Sequence, residues 1–308
     1  MGKQGINLNM VNQSSQLTPD QITRFYHLWF GLLQNTNEKY KLAPTMLGKD
    51  FHQGIKTEDA GKIAKFIWTH PNVFDEFLVT RNLDKHESEI IRSWKQYHYK
   101  DKFYIVKYLK DGAVFLTYGH DEKAYLIKGL VSAFEEMWPR QTLPFLVETV
   151  LLPFEGVITT CGLYYASTIY FGRNISRDIY ETCQQAELTY GLITSLPFTK
   201  SVTKEDKQIA QIKFYLQSAK NLDMYRDELE DLIHKKPALY LPIYFYHRGL
   251  LEAKTYKKEY RKLGLKKLHF ALYGAVVIAA HVDKRQVEQT VKKLAPQSEL
   301  NRIVFDQV

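Results

Sequence analysis

Cysteine is scarce in this chain. Cys161 and Cys183 are the only two among 308 residues, and neither stands at the spacing of a zinc site or a disulfide framework. No structural metal and no cofactor are expected, and a reducing cytoplasm is the expected setting. Long apolar runs are missing as well. The longest, "FALYGAVVIAA" at residues 270–280, falls short of the roughly 20 residues that cross a bilayer, so it reads as a buried core element and no membrane span is expected. The opening "MGKQGINLNMVNQSSQL" has no apolar stretch of the signal-peptide kind, and Ile6 breaks the myristoylation pattern, so no export or lipid signal is expected.

Catalytic fingerprints are also absent. There is no Gly-x-Ser-x-Gly elbow, no P-loop and no Gly-x-Gly-x-x-Gly, so nucleoside triphosphate and dinucleotide chemistry lose their usual warrant. His86-Glu87 begins like a helical zinc motif, but Ile90 stands where the second His belongs, and a solvated helix start is the reading. Glu135-Glu136 could act as paired carboxylates, although Glu135 follows Ser132 at the spacing of a capping box. Both cysteines fall on apolar faces and read as small hydrophobes.

Aromatics, by contrast, are abundant, with 21 Tyr and 17 Phe. Helical periodicity opens the chain after a polar arm, residues 1–16. Thr18 caps a helix with Pro19 first and Gln21 completing a capping box, and Ile22, Phe25, Tyr26, Trp29 and Leu33 recur at its spacing. Helices also follow Thr57, Pro71 and the residues before Ile90. The period then drops from about 3.6 to 2. "KFYIVKYLKDGAVFLTYGHDEKAYLIKGL" reads as strands with a two-residue turn at Asp111-Gly112, and strands at roughly 143–152 and 157–166 complete an antiparallel sheet of about five strands. A helix with Ile175, Ile179, Cys183 and Ala186 runs to Gly191.

"LWFGLLQNTNEKY", "SAFEEMW", "LLPFEGVITTCGLYY" and "YFGRNISRDIYE" with "GLITSLP" resemble an uncharacterised family of bacterial proteins over roughly residues 7–200. That family's pattern has several glycines before the helix where this chain has only Gly172. The resemblance implies a shared fold and no particular activity.

Beyond residue 200 the pattern is again helical. Thr203 with Asp206, and Asp283 with Gln286, mark helix starts, and Val287, Val291 and Leu294 share a face of the last helix. The expected organisation is α+β: the arm at 1–16, a helical and antiparallel-sheet domain at 17–200, a small, mostly helical basic domain at 201–296, and a tail at 297–308.

Net charge is confined to one place. Residues 235–267 hold ten Lys or Arg against two Glu, a formal +8 that equals the charge of the whole chain. On a helix from about Ile243 to Leu263, Lys254, Lys257, Lys258, Arg261 and Lys262 form one stripe, while Leu250, Ala253, Tyr256, Tyr260 and Leu263 form another. Lys235, Lys236, Lys266 and Lys267 flank the stripe. Such a helix can be a solvated Lys-rich face, or can lie on phosphates, an anionic membrane or an acidic protein. Nucleic acid is the favoured functional reading, with Tyr256 and Tyr260 as rings for bases or sugars. Interfacial membrane helices carry bulkier apolar faces than this.

Two smaller candidates remain. Arg173 and Arg177 flank a helix start, where free N–H groups favour an anion. His247, beside Arg248 in an aromatic run, could line a pocket or sit in a core. The sequence therefore points to a cytoplasmic binding protein. The alternatives are an enzyme with a pocket between the sheet and the first four helices, or a scaffold in a protein assembly.

Overall fold

The computed structural model describes residues 14–119, 121–167 and 169–308. Residues 1–13 of the expected arm lie outside them. Residues 14–16 are tied down: Gln16 bridges Gly129, and the Gly129 N–H donates to the Ser15 carbonyl at 2.9 Å. The chain divides into two compact units, residues 1–200 and 201–308.

The first unit opens with α1 (Pro19–Tyr40), and Thr18, Pro19 and Gln21 form its capping box and first turn. The helices α2 (Thr57–Thr69), α3 (Asn72–Thr80) and α4 (Lys85–Tyr97) follow. Asp84 and Glu87 box the start of α4, so Glu87 serves as a cap and His86 points its Nε2 toward Glu155 at 3.2 Å. The apolar stripes converge on one core through Phe25, Leu28, Trp29, Ile63, Ile67, Phe74, Ile91 and Trp94.

The strands are β1 (Tyr99–Leu109), β2 (Gly112–Thr117), β3 (Ala124–Ile127), β4 (Phe145–Phe154), β5 (Val157–Thr160) and β6 (Tyr165–Ala166), with the one-turn α5 (Phe134–Met137) between β3 and β4. The first five close into a ring. β1 pairs with both β2 and β4, β2 with β3, β3 with β5, and β5 with β4. The sheet is mixed rather than purely antiparallel, because β3 meets β5 in parallel at Ile127 and Ile158. This is a five-stranded Greek-key barrel, the architecture of the OB-fold. A bulge between Ile105 and Lys107 lets β1 bend from one neighbour to the other. Phe103, Ile105, Phe115, Ile127, Val147, Leu151 and Ile158 fill the interior, and Phe134 of α5 joins them.

Both outer faces of the barrel are covered. Val150, Leu152 and Phe154 pack into the helical core, while Val106, Val114, Leu116 and Ala124 pack under Ile179, Cys183 and Ala186 of α6 (Arg173–Tyr190). Both faces of β2 are consequently buried along its whole length.

Several local expectations are corrected. The β1–β2 loop is Lys110-Asp111, with Leu109 opposite Gly112, so the turn forms one residue earlier than Asp111-Gly112. Gly112 alone in that hairpin has positive φ, +152°. The turn with two positive-φ residues is Glu155-Gly156, which joins β4 to β5. The strand expected at 157–166 is split in two, since Gly162 takes φ +77°. Ser132 and Glu135 make no capping box: Ala133 is the N-cap of α5 and the Glu135 carboxylate takes the Arg140 guanidinium.

The second unit contains α7 (Lys204–Tyr215), α8 (Ala219–Met224), α9 (Arg226–Lys235), α10 (Pro237–Lys262) and α11 (Lys284–Leu294). Thr203 and Asp206 box α7 as expected. Asp283 caps α11 through the Arg285 N–H, without the return bond expected from Gln286, and Leu294 is exposed rather than packed with Val287 and Val291. The segment "FALYGAVVIAA" is a hairpin, β7 (His269–Tyr273) and β8 (Val276–His281), turning at Gly274 with φ +57°. Residues 297–308 are no tail. A short 3-10 segment leads into β9 (Ile303–Gln307), which pairs with β7 to complete a sheet in the order β8-β7-β9.

Candidate nucleic-acid interface

α10 is longer than expected, beginning at Pro237 rather than near Ile243. Its inner face is set by small or ring-bearing residues. Gly249 lies against Val304 of β9, Ala253 packs with Phe270 and Leu272 of β7, and the Tyr240 hydroxyl donates to Gln208 Oε1 at 2.6 Å. Tyr256 and Tyr260 continue that face. Their rings lie nearly parallel at 5.9 Å, Tyr260 meets Phe270 edge-on at 5.4 Å, and the Tyr256 hydroxyl donates to the Ala275 carbonyl at 3.2 Å. Both tyrosines are half-buried and pack on the unit's own core. Leu250 and Leu263, expected on the packed stripe, are exposed.

The opposite face carries the charge. Lys254, Lys258, Arg261 and Lys262 are exposed and have no ion pair among the described residues. Lys257 lies at the edge of the stripe and is committed elsewhere, its Nζ being 2.7 Å from Asp306 Oδ1 on β9. Glu259 is the only carboxylate between residues 253 and 267.

The helix end extends the patch. The Gly264 N–H donates to the Arg261 carbonyl and the Leu265 N–H to the Tyr260 carbonyl, with Gly264 at φ +76°. These are the two bonds of a Schellman stop, which needs a left-handed residue that glycine supplies without strain. Lys266 and Lys267 follow at once, both exposed. Cations in a last helical turn are favoured by the macrodipole. That accounts for Arg261 and Lys262, whereas Lys254 and Lys258 lie further back, where the dipole effect has faded.

The remaining candidates separate. Arg177 is held by Asp178 at 3.2 Å and Glu181 at 3.8 Å, which leaves Arg173 alone at the start of α6. His247 is half-buried, and burial together with Lys213 pushes its pKa below the usual value. Burial holds both thiols protonated: Cys161 is pushed up, and Cys183 reaches about 12 with help from Glu187. Among the described residues no group of His, Cys, Asp and Glu could hold a metal ion, and no helix is long and apolar enough to cross a membrane.

Small Greek-key barrels of this kind often bind oligonucleotides on the β2–β3 face and through the β1–β2 and β4–β5 loops. Here α6 covers that face, and both loops have only two residues. The barrel's customary face is therefore closed, a feature invisible to sequence reading because α6 and β2 are far apart in the chain. Neither a protein-family model, a curated protein nor a solved structure matches this chain.

Proposed function

We propose that this chain is a cytoplasmic binding protein whose second unit contacts the phosphate backbone of nucleic acid through α10. The observation that carries this reading is the set Lys254, Lys258, Arg261 and Lys262, exposed on one helix face with no carboxylate partner among the described residues and continued by Lys266 and Lys267. From Lys254 to Lys262 the helix rises roughly 12 Å, enough to face several phosphates. Ion pairing elsewhere in the unit is consistent with this division of labour. Lys236 holds Glu205 at 2.6 Å and Lys257 holds Asp306, so those two cations are already matched by carboxylates.

The mode is electrostatic. Tyr256 and Tyr260 are engaged with Phe270 and Ala275, so the reading rests on the cations and assigns no base stacking to these rings. Binding through released counterions makes the logarithm of affinity fall with the logarithm of salt by about 0.9 per phosphate contact on duplex DNA. The test is a fluorescence-anisotropy titration of a 20-mer duplex and a 20-mer single strand against salt. Replacing Lys254, Lys258, Arg261 and Lys262 by Gln together should flatten the duplex slope by up to about 3 to 4 units. Lys257→Gln should leave that slope nearly unchanged, because its charge is already matched by Asp306. Absence of binding to either probe at about 50 mM salt, where such contacts are strong, would sink the proposal.

A further inference from the structure

In the first unit a cleft of about 630 Å³ opens between α2 and the outer side of β1 and β4. This volume is in the range of small-molecule sites, about 300–1,000 Å³. Chemistry, however, is thinly supplied. No histidine lines it, its one cysteine is Cys161, fully buried with a raised pKa, and its carboxylates Glu58 and Glu148 face lysines.

The walls are flat and apolar. Trp68 contributes a ring backed by Trp29, nearly parallel at 5.6 Å and 14°, which fixes its plane. Tyr164 also borders the cleft, but its ring packs on Phe134 and Trp138 and its hydroxyl is engaged by Thr160 at 2.6 Å. Leu163 and Val150 complete the floor. On the helix side, Gly61 is buried inside α2, where glycine costs roughly 0.5–1 kcal/mol relative to alanine. A Cβ there would stand 3.0 Å from the Tyr165 hydroxyl, so the missing side chain admits that hydroxyl against the helix. The Tyr165 hydroxyl makes no hydrogen bond among the described residues, which leaves its O–H available as a donor.

The rim charges do not cancel. Lys62 Nζ is 2.8 Å from Glu58 and Lys100 Nζ is 3.7 Å from Glu148, whereas Lys65 is exposed with no ion pair among the described residues. Lys65 follows Gly61 by four residues, one turn along the same helix face, and both Lys65 and Tyr165 line the cleft. One uncommitted cation and one free donor thus line a cleft that Trp68 borders.

We propose that this cleft binds a small monoanionic molecule with a flat apolar body, its ring lying against Trp68 and its carboxylate or sulfonate meeting Lys65 and the Tyr165 hydroxyl. The proposal is independent of the stripe on α10. Anilinonaphthalene sulfonate, a flat aromatic monoanion, is the probe, titrated into the full chain by fluorescence with near-ultraviolet circular dichroism confirming native packing. The expected result is saturable one-to-one binding that weakens tenfold or more in Lys65→Glu and severalfold in Tyr165→Phe. Lys110→Glu, an equal charge change in the β1–β2 turn, should leave the affinity as it is. The proposal is overturned by a folded wild type that binds no probe or binds it without saturation. It is overturned equally if Lys65→Glu and Tyr165→Phe bind like the wild type, or if Lys110→Glu weakens binding as much as Lys65→Glu does.

Discussion

The indole of Trp94 donates its Nε1–H to the carbonyl of Pro153 at 2.9 Å, the two buried groups joining α4 to β4. The bond couples the helical core to the barrel wall, and Trp94 is among the largest fully buried side chains. Trp94→Phe keeps an aromatic ring but leaves that carbonyl without its donor and opens space beside Phe25 and Phe154. The expected loss is about 2–4 kcal/mol, from an unsatisfied buried acceptor plus a partial cavity. Urea unfolding should show it as a lower midpoint with an unchanged slope.

Gly112 is constrained twice. Its φ is +152°, and a Cβ would stand 2.3 Å from the Ile127 carbonyl oxygen of the neighbouring strand. Gly112→Ala should therefore cost well over 1 kcal/mol, since an incompatible backbone and an overlap with a backbone atom act together. Thermal unfolding is the check, and a melting temperature equal to the wild type would refute the close approach of β2 and β3.

Glu155 holds a left-handed turn position at φ +47° while its carboxylate accepts from Arg24 at 2.7 Å and faces His86 at 3.2 Å. The hydrogen bond from Arg24 leads in holding its pKa below the usual 4.5, against the opposing effect of burial. A depressed carboxylate pKa adds stability above pH 4.5 and loses it as the pH falls through the lower folded value. Arg24→Ala should thus destabilise the unit at pH 7 by at most about 1 kcal/mol, as Arg24 is partly exposed. The difference from the wild type should shrink below pH 4, measured as unfolding midpoints across pH.

Gly249 tests two opposed effects. Alanine is favoured over glycine inside a helix by about 1 kcal/mol. At this position, though, a Cβ would stand 2.9 Å from Val304 Cγ2 and 3.4 Å from the Gly274 carbonyl. Overpacking of this sort costs roughly 1–3 kcal/mol, so Gly249→Ala should be destabilising on balance. Gly249→Ala with Val304→Ala should recover the helix gain. A stabilised single variant would show that α10 and β9 do not approach this closely.

Short-range physics was legible in the sequence of this protein by itself. The Thr18–Gln21 and Thr203–Asp206 boxes, the stripes that bury Ile63, Ile67, Ile91 and Trp94, and the concentration of charge in residues 235–267 each depend on neighbours within one or two helical turns. Tertiary structure decided the rest. The β1–β2 and β4–β5 hairpins both have a two-residue link, followed by Gly112 in the first and containing Gly156 in the second, yet only Glu155-Gly156 takes two positive φ values, where Arg24 and His86 hold the Glu155 carboxylate. Closure of the barrel rests on Ile127 meeting Ile158, and the third strand of the second sheet comes from the residues that read as a tail. The basic stripe was likewise visible as a period, while its edge was drawn by Asp306, which captures Lys257 from another strand. A pairing between segments so far apart in the chain leaves no mark in either one, because each strand or charge has many possible partners and only the packed whole selects among them.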